Sequence, residues 1–254
     1  MKIDILFLVL LQGYVVIDNV SINGRGPYRF LIDTGSQSTT IDASVAQELS
    51  LKPTYRVSLT TPAGSRLVSA TMVRNLAAGS VSSEEVEVLW YDLRTQRMVA
   101  GDIQGILGNN FLSRFDYLFD FRNRALRIHQ PSGFAKSVKG ERIPFRLEEG
   151  RVVVPVRFTP DGEHYDFVLD SGASSMILPP GLASPPESQS SARLQTATGE
   201  EEVALTTVPT LFVGSAVFRN VPAAIQRTAL LPVRLFDAIY VNSAEGYVVV
   251  NPKF

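Results

Sequence analysis

The sequence predicts an all-β fold in two similar lobes related by a pseudo-twofold axis, with a few short helices. Three observations carry this. The periodicity is strand-like: Val15–Ile17, Val152–Val156, Val203–Thr207 and Tyr247–Val250 are β-branched or aromatic runs punctuated by Gly, Pro, Asn and Ser. Helix signals are sparse. The chain also matches itself when slid by 137 residues, placing Gly13–Ile17 on Gly150–Val154, Tyr28 on Tyr165 and Phe30 on Phe167. The match runs without a gap from Leu31-Ile32-Asp33-Thr34-Gly35 on Val168-Leu169-Asp170-Ser171-Gly172 to Ser38 on Ser175. With a shift of 135 it continues through Gly64 on Gly199, Val68 on Val203 and Val86 on Val221. The identities include Gly, Asp, Tyr and Phe at matched spacing, which shared strand composition alone does not produce.

Taken in order, Ile5–Leu11 is an apolar run of seven, too short to span a bilayer. Asp4 spoils a basic flank and no small-residue cleavage site follows, so a strand is expected there rather than a signal peptide. Its counterpart, Arg142–Leu147, alternates as a strand does. No pro-segment is expected ahead of the first repeat. Asp42 is placed to N-cap a short helix through residues 43–49, and a second short helix is expected from Asn109 towards Phe115. Pro131–Gly140 and the Pro/Ser-rich stretch Pro179–Ser191 read as connectors. The lobes are therefore expected at residues 1–135 and 136–254.

Composition narrows the chemistry. Of 254 residues, 45% are hydrophobic and 19% charged, which is globular and excludes disorder. A net charge of −1 gives no reason to expect nucleic acid or an anionic membrane surface. Cysteine is absent, which removes disulfides, thiol nucleophiles, thiolate zinc sites and iron–sulfur clusters. The compartment stays open, since a chain without thiols suits either side of a membrane, the periplasm and the exterior included. The only histidines are His129 and His164, both read as exposed loop residues. No G-x-S-x-G turn is present. Asp116 and Asp120 alternate with aromatics and read as solvent-side residues, and Trp90 and Tyr91 as core or rim.

Each half carries one unit: an apolar strand, Asp, a small hydroxyl residue, Gly, then small residues. It reads Phe30-Leu31-Ile32-Asp33-Thr34-Gly35-Ser36 and Phe167-Val168-Leu169-Asp170-Ser171-Gly172-Ala173. A single D-[TS]-G triplet is weak evidence, but two at the same repeat position are strong. A carboxylate ending a buried strand is costly unless partnered. The following hydroxyl supplies a donor and the glycine leaves room for a sharp turn or a close neighbour. If the repeats pack about a twofold axis, Asp33 and Asp170 meet, share one proton, and supply an acid and a base without metal, thiol or imidazole.

These residues resemble the aspartic proteases, and within them the retropepsin-like branch found in bacteria, here doubled in one chain as in pepsin-like enzymes. The shared-proton carboxylate pair of that family is a standard example. The resemblance covers nearly the whole chain. It implies two β-barrel-like lobes of the acid protease fold, peptide-bond hydrolysis in the cleft between them, and Asp33 and Asp170 as catalytic residues. It implies that Thr34, Gly35, Ser36, Ser171 and Gly172 support the catalytic loops, with Thr34 and Ser171 cross-bracing them. Gly105–Leu112 resembles the family's apolar-apolar-Gly segment under the catalytic loop, and Phe119–Leu126 its closing hairpin. Thr61, Pro62, Ala63 and Gly64, and Ala197, Thr198 and Gly199, stand where substrate-clamping flaps are expected. No cofactor or metal is implied. The partner is a peptide or protein substrate, with no nucleic acid and no membrane insertion of the mature chain, and the chain is expected to be a monomer holding an internal pseudo-dimer. A catalytically inactive peptide-binding module on the same fold is the alternative. It is motivated by Ala229-Leu230-Leu231-Pro232, where the second apolar-apolar-Gly segment lacks its glycine, by Ala173 in place of Ser36, and by flaps without tyrosine.

Overall fold

The computed structural model describes residues 5–7, 9–11, 14–61, 64–131, 134–182, 191–195 and 200–254. The first half runs β1 (Ile5–Phe7), β2 (Val9–Leu11), β3 (Tyr14–Ile22), β4 (Arg25–Ile32), β5 (Thr39–Asp42), α1 (Ala43–Glu48), β6 (Tyr55–Thr61), β7 (Gly64–Ala78), β8 (Val81–Tyr91), α2 (Arg94–Ala100), β9 (Gly105–Leu107), α3 (Asn109–Leu112), β10 (Asp116–Asp120) and β11 (Ala125–His129). The second runs β12 (Ile143–Pro144), β13 (Arg146–Glu148), β14 (Arg151–Val156), β15 (Tyr165–Asp170), β16 (Met176–Leu178), β17 (Ser191–Gln195), β18 (Glu200–Val213), β19 (Ala216–Ile225), β20 (Leu230–Pro232), β21 (Ala238–Asn242) and β22 (Tyr247–Val250).

Each lobe is an eight-stranded sheet, and the two follow the same order: β2-β3-β4-β9-β5-β8-β7-β6 and β13-β14-β15-β20-β16-β19-β18-β17. Strand for strand they correspond, as the sequence repeat predicts. A third sheet, β1-β11-β10-β21-β22-β12, takes half its strands from each lobe. Its seam is the antiparallel pair β10–β21, with Leu118 opposite Tyr240 and Phe119 opposite Ile239. The order is palindromic under exchange of the lobes, so the pseudo-twofold axis runs through this seam. The Ile5–Leu11 run divides between two sheets, β1 in the shared sheet and β2 in the first lobe. Its counterpart divides likewise into β12 and β13.

Alternation places Ile17, Phe30, Ile32 and Leu107 on one face of the first sheet, in a core that continues through Phe167, Leu169 and Leu231 of the second. The opposite face of the first sheet, with Val16, Leu31 and Ile106, is covered by Leu93, Ala100 and Ile103 around α2. Helix α1 starts as predicted: Asp42 accepts from the Ser44 N–H at 2.9 Å. Helix α2 is not foreseen by the sequence reading. Its cap residue is Leu93, which makes no side-chain capping bond. It is held from 51 residues away, where Asp42 accepts from the Leu93 N–H at 3.1 Å and pairs with Arg97 at 3.1 Å.

Two surface assignments are corrected. Asp116 and Asp120 are 2% and 5% exposed, not solvent-side, because both faces of the shared sheet are covered. Asp116 accepts from the Tyr240 hydroxyl at 3.0 Å and the Ser243 N–H at 2.9 Å, and Asp120 closes the β10–β11 turn through Asn123. His129 lies in β11, half-buried and stacked 4.4 Å from the Phe134 ring, rather than in a loop. His164 is an exposed loop residue. Trp90 and Tyr91 are half-buried at the edge of the core.

Candidate active site

The two D-[TS]-G turns meet where the lobes meet. Strand β4 lies between β3 and β9, and the Asp33 N–H continues the β4–β9 ladder by donating to Leu107 O at 3.0 Å. Strand β15 is held in the same way between β14 and β20, with Asp170 opposite Pro232. Each aspartate therefore ends a central strand and projects from a turn with little freedom to move.

The carboxylates are oriented by matched main-chain donors. Asp33 accepts from the N–H groups of Gly35 at 2.9 Å and Ser36 at 3.1 Å. Asp170 accepts from Gly172 at 2.7 Å and Ala173 at 3.1 Å. Thr34 and Ser171, both fully buried, lock the turns together with four reciprocal bonds. The Thr34 hydroxyl donates to Leu169 O at 2.7 Å and accepts from the Ser171 N–H at 2.9 Å. The Ser171 hydroxyl donates to Ile32 O at 2.8 Å and accepts from the Thr34 N–H at 3.0 Å.

The glycines are required by space. A Cβ on Gly35 would lie 2.6 Å from Asp170 Oδ1, and one on Gly172 would lie 2.7 Å from Asp33 Oδ1. Each carboxylate thus rests against the glycine of the opposite turn, which brings the two carboxyl groups close enough for each to act on the other. Burial pushes the pair up, and at Asp33 the charge of Asp170 pushes further, against the opposing main-chain bonds. The pair holds a proton well above the usual carboxylate range.

Support beneath the two turns is unequal. In the first lobe Asn109, 1% exposed, donates through Nδ2 to Thr34 O at 2.6 Å and Ser36 O at 3.0 Å. Gly108 before it lies so close to the Ser38 backbone that a Cβ would have no room. In the register of the second lobe these positions are Pro232 and Val233, so the missing glycine noted in the sequence is accompanied by a missing amide. The Ser36 hydroxyl donates to Ser38 O at 3.0 Å, a bond Ala173 has no means to copy. The role of Asn109 escaped the sequence reading, although an Asn directly after an apolar-Gly run is the signal for it.

Tyr14 also escaped it. This residue interacts across the lobe boundary with Ser174. Burial raises its hydroxyl pKa and Ser174 acts the other way; the charges of Asp170 and Asp33 add to the rise, and Arg234 opposes it. Its repeat counterpart is Arg151, which pairs with Glu149 at 2.9 Å. Of the expected flap residues, Thr61 and Gly64 close the β6–β7 hairpin opposite each other, with Gly64 at φ 135. Pro62, Ala63, Ala197, Thr198 and Gly199 lie outside the described residues. The hairpin of β17 and β18 is described up to the pair Gln195–Glu200.

A family model described as aspartyl protease matches residues 19–111 and again residues 154–236, once around each aspartate. The chain belongs to the aspartyl protease family. Among solved structures, this family member is similar to a retropepsin-like aspartic protease from Rickettsia conorii at 17% identity and a TM-score of 0.39. The match covers 50% of this chain and 91% of that one. No curated protein sequence matches the chain.

Proposed function

We propose that this protein is an aspartic endopeptidase in which Asp33 and Asp170 activate one water in a cleft between the lobes. The observation that carries the reading is the close approach of the two carboxyl groups, each held by two main-chain N–H groups and resting against the glycine of the opposite turn. In the active form one is ionised and the other protonated. The ionised carboxylate takes a proton from water as its oxygen attacks the scissile carbonyl carbon. The protonated carboxyl gives its proton to the carbonyl oxygen, forming a gem-diol. Collapse of the diol returns a proton to the departing nitrogen, breaks the C–N bond and leaves a carboxylic acid and an amine. Neither metal nor covalent intermediate enters the scheme. The β6–β7 and β17–β18 hairpins, through Thr61–Gly64 and Ala197–Gly199, would hold an extended peptide by main-chain bonds.

The test is cleavage of an unstructured protein substrate, with products read by mass spectrometry, in the presence and absence of a statine-type transition-state mimic. Internal cleavage blocked by the mimic is the expected result. The second reading, a peptide-binding module without turnover, is favoured by the loss of the Asn109 amide and Gly108 equivalents under Asp170. Extended-peptide binding with no cleavage between pH 3 and 8 would select it.

A further inference from the structure

The two sides of the proposed cleft differ. Between β8 and β9 the first lobe inserts residues 92–104, and Leu93, Ala100 and Ile103 from this segment close over Leu31 and Ile106. Between β19 and β20 the second lobe has only residues 226–229. The register counterparts of Leu31 and Ile106 are Val168 and Leu230, and both stay half-exposed where the first pair are 5% and 7% exposed. An apolar floor leading to Asp170 is therefore open on the second-lobe side alone.

A cation follows that floor along the chain, on the turn directly after β20. Pro232 lies opposite Asp170 and caps a single 3-10 turn, Val233–Leu235. Arg234 on this turn is exposed, and it makes no ion pair with any described carboxylate. Its charge acts on the Tyr14 hydroxyl, as do those of Asp170 and Asp33. The guanidinium that acts on Asp170, that of Arg151, is already taken by Glu149. In the first lobe the position of Arg234 is held by Asn110, whose side chain is spent on Thr39 and the Glu87 carbonyl.

We infer that Arg234 selects substrates carrying a glutamate or aspartate side chain next to the scissile bond, its methylenes on Val168 and Leu230 and its carboxylate on the guanidinium. This rests on the endopeptidase reading above and names its substrate class. An apolar shelf ending in a cation fits an acidic side chain better than an aliphatic or a basic one. The pair would be partly solvated, so a preference of about 3- to 10-fold is expected.

The test uses matched peptides with Glu, Gln or Lys at each position flanking the cleavage site. Wild-type kcat/KM is expected to favour Glu over Gln by that factor at one position. Arg234→Glu should abolish the preference and favour Lys, while Arg219→Glu, an exposed charge on β19, should leave it intact. The same peptides, fluorescently labelled, are titrated against the Asp33→Asn protein by anisotropy, so selectivity is read without turnover. Glu-selective binding with no wild-type cleavage would remove the endopeptidase reading and keep this one. Equal values for Glu and Gln at every position, or a preference that survives Arg234→Glu, would overturn the inference.

Discussion

Thr34→Val removes a hydroxyl while keeping the side chain's shape, so it isolates the cross-brace between the turns. The wild-type hydroxyl donates to Leu169 O at 2.7 Å and accepts from the Ser171 N–H at 2.9 Å, in a fully buried site. The valine leaves both main-chain groups without that partner and without water. A buried polar group deprived of its partner costs about 1–3 kcal/mol. The two together predict a loss of about 3 kcal/mol, or about 6–12 °C in Tm at the usual 2–4 °C per kcal/mol for a chain of this size. Thr34→Ser keeps both bonds and loses a methyl group, so it should stay within about 1.5 kcal/mol of wild type. The assay is thermal and urea unfolding of the three proteins, with Ser171→Ala completing a double-mutant cycle. The two hydroxyls serve one interface, so the single losses should not add. A Thr34→Val protein within about 0.5 kcal/mol of wild type would refute the claim that these bonds hold the lobes in register.

Asp33→Asn should change how stability depends on pH. Asp33 in the folded chain keeps its proton above the value near 4 of an unfolded aspartate, so its contribution is full below that pH and is lost as pH rises through the folded value. The Asn variant loses this penalty, and its Tm should exceed that of wild type at pH 7 and converge with it at pH 4. A Tm difference that does not vary with pH would contradict the shared proton. Asp42→Ala should cost about 2–4 kcal/mol in urea unfolding, since it removes the α1 cap and strands the Leu93 N–H and Arg97 that fix α2. A loss near the ~1 kcal/mol of a cap alone would mean that α2 does not depend on it.

What the sequence made legible was local and repeated. Asp33-Thr34-Gly35 and Asp170-Ser171-Gly172 announce themselves because each role is written in adjacent residues and twice at one spacing. The Asp42 cap is legible for the same reason, lying directly ahead of the helix it starts. What was missed depends on pairings far along the chain. The anchor of α2 comes from 51 residues earlier. Asp116 is buried by Tyr240, 124 residues away, so its alternation with aromatics marked a sheet covered on both faces rather than a solvent face. Tyr14 reaches Ser174 only because the lobes are related by a twofold axis. The asymmetry between the lobes was half visible: the missing glycine at Pro232 could be read, but its neighbour Arg234 gains meaning only from the register that sets Pro232 opposite Asp170.

The central claim is that Asp33 and Asp170 act as one unit. Its most direct test is kcat/KM on a single cleaved peptide for wild type, Asp33→Asn, Asp170→Asn and the double variant, each confirmed folded by circular dichroism. Residues that work as a unit are strongly non-additive, so either single substitution should lower kcat/KM by about 10³-fold or more, and the double variant should be no worse. A single variant retaining a tenth of wild-type activity, or losses that multiply in the double variant, would contradict the account.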